Sequence, residues 1–500
     1  MKLFRAGIAA MLMMSIAFTV SAWNMEDGDG QMLTVDGKLQ YRGRVYNLDF
    51  NNDTNASHLN RVNYFGDLSL GFKIQPTEFV SGYFELNRLI FLGQEFRYNT
   101  IQTGEDVLPE DYDLIFNVVT QDDMQVINAD GTSTVISEMD TTKISNKLPL
   151  RRNTDEAWEF QMRQAWFDIN IPKVPLKFKF GRQPFILGNG IYTNTNIATV
   201  FGYQVYSDLG PGKPFVRLGS MKFFEGIRES YDGEAKMNNA DDVDMYFVDG
   251  NMAVPNMDNS KVGAFLTLFN DRSFGMDRLY HYNLGLTANL SLPMGFSLSS
   301  EFDYQTGKKD FYTETATDKD FDWTGFAFMA KLNAPALLDS KLRLSGEYGI
   351  GSGDDPDTAD FEGYVGVGPF YPYAWAYEYR FIHSIHNASN FYAKNSKGMC
   401  QNLAPGMENT TYLKATGVVS LPWKLQYIVS PIWLGMTQEG ETFGYEFDNI
   451  INVPFYKNFS YQFIFAYVIP SDTLKDRTKA GNKYILDNSY GIRSQFQMTF

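Results

Sequence analysis

The stretch His281-Tyr282-Asn283-Leu284-Gly285-Leu286-Thr287-Ala288-Asn289-Leu290-Ser291-Leu292 alternates without a break. Tyr282, Leu284, Leu286, Ala288, Leu290 and Leu292 are apolar or aromatic, and the residues between them are polar or small. A period of two sends alternate side chains to opposite faces of an extended strand. After Pro293-Met294 the phase resumes, with Phe296, Leu298, Phe302 and Tyr304 set against Ser297, Ser299, Glu301 and Asp303. Phe459, Tyr461, Phe463, Phe465 and Tyr467 repeat the pattern, as do Tyr490, Ile492, Phe496, Met498 and Phe500. Strands of this kind, apolar on one face and polar on the other, build a transmembrane barrel. A soluble sandwich alternates too, but its buried face is dominated by Val, Ile and Leu. Here the apolar phase turns aromatic towards strand ends, as at Trp323, Trp423, Trp433 and Tyr445. Amphipathic rings belong at that depth in a bilayer.

Composition agrees. Aromatics are 16% of the 500 residues, glycine is abundant, and Cys400 is the single cysteine, which excludes a disulfide framework or a cysteine-based metal site. The mean hydropathy of −0.29 fits a chain in which only alternate strand residues meet lipid. Beyond Trp23 no window approaches the roughly 18 apolar residues of a membrane-spanning helix. At the start, Lys2 and Arg5 precede an apolar stretch from Ala6 to Val20, and Val20-Ser21-Ala22 offers small residues for cleavage. Residues 1–22 therefore read as a signal peptide cleaved after Ala22, and the expected destination is the outer membrane of a Gram-negative bacterium.

Counting back from Phe500, the alternation predicts strands near 487–500, 458–469, 441–453, 423–434, 409–421, 340–351, 322–333, 295–306, 281–292 and 260–269. Further upstream come 242–250, 214–224, 195–206, 176–183, 158–170, 79–90, 62–74 and 33–47. The total is 18, or 16 if the weakly patterned segments 195–206 and 242–250 do not form. Short turns such as Gln75-Pro76-Thr77, Pro293-Met294 and Leu421-Pro422 alternate with longer connections, as periplasmic turns alternate with extracellular loops. The expected fold is all-β: one transmembrane antiparallel up-and-down barrel over 23–500, with long extracellular loops near 91–157, 225–241 and 352–408. Because lipid offers no hydrogen bonds to the backbone, the sheet has to close.

Charge is unevenly spread. The net charge of −16 becomes −18 once Lys2 and Arg5 leave. No Lys or Arg interrupts residues 101–142, and further acids gather at Asp354, Asp355, Asp357, Asp360 and Glu362. The polar phase of many strands is instead basic. Lys38, Arg42 and Arg44 alternate with Leu39, Tyr41 and Val45, and Lys73, Arg163, Lys177, Lys179, Lys341, Arg343 and Arg493 continue the theme. On a barrel such residues line the pore, where a ring of cations favours anions. Glu85, Glu159, Glu301, Asp303 and Glu347 are available to pair with them, so a charge-balanced lumen is the competing reading. Catalytic, cofactor and metal sets are not expected. His383 and His386 lack a helix-borne HExxH motif, the acids at 354–362 lack EF-hand spacing, and His281 has no recognisable serine and acid partners.

Two segments carry a family resemblance. Gln164-Ala165-Trp166-Phe167-Asp168-Ile169, followed by Phe178-Lys179-Phe180-Gly181-Arg182-Gln183-Pro184 and Gly188-Asn189-Gly190, resembles the alginate-export family of outer-membrane barrels. Leu344-Ser345-Gly346-Glu347-Tyr348 with Gly351-Ser352-Gly353-Asp354-Asp355 resembles that family's later strand and loop. The resemblance implies an 18-stranded channel with a basic lumen, and it adds Arg182 to Arg163 as a pore residue. The chain departs from the pattern in its acidic loops and in a slip of strand phase between Met162 and Phe167.

The expected function is passive passage or export of small hydrophilic solutes, anions or saccharides among them. The alternative is a non-conducting scaffold or surface receptor; an enzyme is not expected. Expected partners are outer-membrane lipid and lipopolysaccharide, the barrel-assembly machinery through Phe500, and a small permeant, with no nucleic acid. Terminal Phe500 completes the last alternating strand. Phe500→Ala should therefore leave secretion intact but lower the folded fraction recovered from outer membranes, and wild-type recovery would contradict the assignment.

Overall fold

The computed structural model describes residues 23–26, 32–47, 60–91, 125–127, 133–135, 161–195, 200–207, 209, 213–224, 243–272, 278–310, 320–355, 357–358, 360–367, 403–404, 407–438, 440–456, 458–472 and 488–499. The expected signal peptide, Phe500, Glu159, His383, His386 and nearly all of 91–157 and 225–241 lie outside these residues.

The barrel strands are β1 (Met32–Asn47), β2 (Asn60–Thr77), β3 (Val80–Phe91), β4 (Gln161–Asn170), β5 (Leu176–Gln183) and β6 (Val200–Ser207). Next come β7 (Phe215–Phe224), β8 (Val243–Ala253), β9 (Lys261–Asp271), β10 (Arg278–Ser291), β11 (Ser297–Asp310) and β12 (Phe321–Asn333). The last six are β13 (Leu342–Gly351), β14 (Thr411–Ser420), β15 (Gln426–Gly435), β16 (Thr442–Tyr456), β17 (Phe459–Pro470) and β18 (Ser489–Thr499). Every consecutive pair is antiparallel, and β1 closes the ring on β18, with Lys38 opposite Thr499 and Asn47 opposite Tyr490. The fold is a closed 18-stranded antiparallel barrel. Both weakly patterned segments, now β6 and β8, are full members. A short strand, Trp23–Glu26, pairs with Met32–Val35 and continues the sheet where β18 stops.

Period two decides what each face carries. Leu266, Tyr282, Leu284, Leu286, Tyr304 and Leu413 are exposed on the outward phase, as a lipid-facing wall requires. Trp433 stands opposite Tyr445 on that face, supplying rings near the long-loop end. Short turns close the other end, and two share one design. Leu292-Pro293-Met294 and Leu421-Pro422-Trp423 each form a 3-10 turn whose third residue is left-handed, at φ 63° for Met294 and 60° for Trp423. The predicted phase slip is a bulge in which Glu85 faces Gln164 and Leu86 faces Met162, leaving Arg163 as the extra residue.

The inward phase differs from a uniformly polar wall. On β8 to β12 it carries Met245, Phe247, Phe265, Phe269, Trp323, Ala327 and Met329, all buried. Trp323 thus corrects its sequence reading: it belongs to an interior cluster and not to the lipid-facing rings, because its strand is apolar on both phases. The two faces should respond differently to charge. Leu284→Lys should cost about 2–4 kcal/mol, and Ser345→Lys, inward-phase and half-buried, less than about 1 kcal/mol. Urea unfolding in lipid vesicles measures both, and equal costs would contradict the assignment of faces.

Candidate functional site

What covers the inward phase of β8 to β12 is the chain itself. Between β5 and β6, residues 184–195 fold back into the barrel as a tight loop. Thr195 N–H donates to the Phe185 carbonyl at 2.8 Å, and Phe185 N–H donates to Thr195 Oγ1 at 2.8 Å. Phe185, Leu187, Ile191 and Tyr192 are buried against the wall. At the loop's tip Gly188 has φ 57°, and a Cβ there would meet the Glu301 carboxyl at 2.7 Å. Glycine is therefore what allows the tip to descend onto β11, where Asn189 N–H donates to Glu301 Oε2. Asn189 Nδ2 also donates to the Ser300 carbonyl at 2.8 Å.

A second inward segment, 352–367, follows β13. Gln305 holds it by both ends of one amide: Nε2 donates to the Val365 carbonyl at 2.7 Å, and Oε1 accepts from Val365 N–H at 3.1 Å. Trp323 Nε1 donates to the Gly363 carbonyl at 3.1 Å, and Tyr364 donates its hydroxyl to Asp303 Oδ2 at 3.2 Å. The two segments are also tied to each other. Val367 N–H donates to the Tyr192 carbonyl at 2.8 Å, and Thr193 Oγ1 donates to the Val367 carbonyl at 2.6 Å. Together they form a partition across one side of the lumen.

Polar wall groups position that partition. Arg217 on β7 forms an ion pair with Asp249 at 2.7 Å and donates to the Ile186 carbonyl at 2.9 Å. Its guanidinium lies 5.1 Å from the Phe185 ring centroid and 5.4 Å from that of Phe247. Asn283 donates to Asp303 Oδ1 at 2.9 Å, and the Tyr192 hydroxyl lies 2.9 Å from His281 Nε2. His281 is packed against Phe269 and Trp323, with ring centroids 5.2 and 4.7 Å away. Outside the strands, burial pushes the Glu408 carboxyl well above the ordinary carboxylate range, and nearby Asp354 adds to the effect.

The sequence-predicted cations take several places. Lys38, Lys73, Lys177 and Lys179 share the inward phase of their strands, Lys73 towards the short-turn end. Lys179 stands opposite Asp168, and its ammonium lies 3.7 Å from the Trp166 ring centroid. Arg163, turned in by the bulge, pairs with Glu85 at 3.4 Å, and Arg493 donates to Gln462 Oε1 at 2.7 Å. Arg343 is inward-phase opposite Val418, whereas Lys341 lies in the short connection before β13. Arg42 and Arg44 pair through the backbone with Gln495 and Arg493, and their side chains lie outside the described residues. Arg182 is a correction. It shares the phase of Phe178 and Phe180, stands opposite Phe201, and so faces outward while its neighbour Gly181 faces in. Sequence reasoning missed Arg217, Asp249 and Gln305, and it singled out Gly188-Asn189 only as part of a family motif, without its inward position. A signal for the coverage was present in β8 and β12, which are apolar on both faces.

No family model matches this chain, and no curated protein matches it. Solved structures similar to it include Pseudomonas aeruginosa OccK11 (OpdR), at 10% identity and TM-score 0.47, over 93% of this chain and 96% of that one. Acinetobacter baumannii OccAB1 follows at 12% identity and TM-score 0.48, over 93% and 96%. The outer membrane protein OpdK from Pseudomonas aeruginosa shows 11% identity and TM-score 0.47, over 93% and 98%.

Two outcomes follow from the partition. Arg217→Met leaves Asp249 half-buried without its cation and should cost about 1.5–3 kcal/mol, the range of a hydrogen bond to a charged group. Asp249→Asn added to it should recover part of that loss, and additive losses by urea unfolding would contradict the coupling. Glu408 holds its proton in the folded protein to a higher pH than in the unfolded chain. Stability should therefore fall as pH rises from the ordinary carboxylate range through the raised folded value. Glu408→Gln should flatten this fall, and an unchanged pH profile of thermal unfolding would contradict it.

Proposed function

We propose that this protein is a porin-like channel of the bacterial outer membrane, passing small hydrophilic solutes. The observation that carries the reading is a closed barrel whose inward segments gather on the β8 to β12 side. The opposite wall, β14 to β18 and β1, is mixed on its inward phase: Ile432, Leu434, Ile464, Ala466 and Val468 are buried there beside Glu446 and Asp448, and Gln426, Asn452, Gln462, Gln495 and Gln497 gather towards the short turns. Such a cross-section narrows a pore and leaves a polar surface along part of it, and loops folded inward supply the selective element. Export through a cleaved signal peptide, assembly through Phe500 and contact with lipopolysaccharide belong to the same proposal.

Anion preference has weaker support than a charge-balanced lumen. Arg163 pairs with Glu85, Arg217 with Asp249, and Lys331 with Glu347 at 3.7 Å. Fixed pairs of this kind leave little net field for a passing ion. The alginate-export resemblance supports a saccharide through its motifs, although its Arg182 lies on the outward phase.

One specific observation favours the non-conducting alternative: the apolar core lies inside the barrel rather than outside it. Planar-bilayer recording with purified mature protein decides between the two. The channel reading expects stepwise openings and, in a salt gradient, a reversal potential near zero. Replacing Lys38, Arg42 and Arg44 together by Glu should move that potential towards cation selectivity. A folded protein that never conducts would leave the scaffold or receptor reading in place.

A further inference from the structure

Towards the short-turn rim, across the lumen from β8 to β12, lies a recess of about 420 Å³, bordered by β15 to β18. Gln426, Asn452, Gln462, Gln495 and Gln497 line it, with Lys424 at its edge. Strand register explains the gathering. Gln426 stands opposite Asn452, Asn452 opposite Gln462, and Gln462 opposite Gln495. One inward phase thus places a carboxamide on each of four neighbouring strands, and Gln497 follows two residues beyond Gln495.

We infer that this recess binds uncharged polyhydroxylated solutes, neutral saccharides above all; the inference rests on the channel reading and names its substrate class. Each carboxamide offers two N–H donors beside a carbonyl acceptor, the complement of neighbouring hydroxyls that both donate and accept. Mutual bonds orient the amides. Gln462 Nε2 donates to Asn452 Oδ1 at 2.9 Å, Arg493 donates to Gln462 Oε1 at 2.7 Å, and Gln40 Nε2 donates to Gln497 Oε1 at 3.3 Å. In these bonds Asn452 and Gln497 are engaged at the carbonyl and Gln462 at both ends, and the two N–H groups of a primary amide give Asn452 and Gln497 donors to face a ligand. Charge excludes the competitors. Among the described residues no carboxylate lines the recess, so a cation gains nothing there. Lys424 is the one cation among those lining residues and Arg493, behind Gln462, is bonded to that amide, so a multiply charged anion is poorly matched. The volume suits a ligand of a few sugar rings.

Maltotriose, neutral, and trigalacturonate, an anion of the same length, test this when added to the short-turn side of channels in planar bilayers. Maltotriose should interrupt the current saturably and at lower concentration than trigalacturonate. In Gln426→Ala/Gln497→Ala its half-blocking concentration should rise about tenfold, as expected for the loss of one or two hydrogen bonds. Stronger block by trigalacturonate, or an unchanged concentration in the folded variant, overturns the inference. Gln426→Ala alone, at the first residue of its strand, serves the same comparison if the double variant does not fold. Where the wild type does not conduct, equilibrium dialysis with labelled maltotriose separates the two claims. Retention by the wild type and its loss in the variant keep the recess and discard the channel, and no retention discards the recess.

Discussion

Backbone hydrogen bonding in lipid is the constraint from which the rest of this structure follows. A peptide group at bilayer depth has no water to bond, so each strand needs a partner on both sides and the first must meet the last. The pairing of Lys38–Asn47 with Tyr490–Thr499 meets that demand. Once the ring closes, each strand has one face towards lipid and one towards the lumen, and every residue's surroundings are decided by whether its number is odd or even within its strand. A bulge is then the device that changes the parity. At Arg163 it turns a cation inward to Glu85 while keeping Met162 among the lipid-facing residues.

Closure also creates an interior that must be filled or left wet, and this barrel does both. On β8, β9 and β12 the inward positions carry aromatic and aliphatic side chains, and on β10 and β11 between them they carry polar groups such as His281, Asn283, Asp303 and Gln305. The segments 184–195 and 352–367 cover them. Apolar burial drives that covering, and polar groups set its register. Gln305 grips the Val365 peptide, Arg217 reaches the Ile186 carbonyl, and Gly188 lets the tip approach Glu301. Across the lumen, β14 to β18 bury Ile432, Leu434, Ile464 and Val468 towards the long-loop end and gather amides towards the short turns.

Much of this was legible in the sequence because period two is a local signal. Strand positions, the phase of Tyr282 to Leu292, the short turns after Leu292 and Leu421, and the slip near Arg163 all follow from neighbours along the chain. The partition does not. Asn189 meets Glu301 across 112 positions, and Gln305 meets Val365 across 60. No periodicity in 184–195 announces where that segment lies. The indirect sign was β12, where Phe321, Trp323, Ala327 and Met329 share one face and Phe326 and Phe328 the other. A strand apolar on both faces is covered on both, which is why Trp323 lies inside. Arg182 misled for a related reason: a family motif carries a residue type but not its phase, and Gly181 occupies the inward position beside it.

Closure can be tested without reference to transport. In a Cys400→Ser background, Gln40→Cys with Gln497→Cys places two thiols opposite each other on the inward phase of β1 and β18, where the native amides already bond at 3.3 Å. Leu39→Cys with Gln497→Cys is the control, one residue out of register and on opposite faces. Mild oxidation of folded protein in outer membranes should give an intramolecular disulfide in the first pair, seen as altered migration after boiling without reductant, and little or none in the second. A disulfide forming equally in both pairs, or only between molecules, would mean that β1 and β18 do not meet in this register and that the barrel is not closed as described.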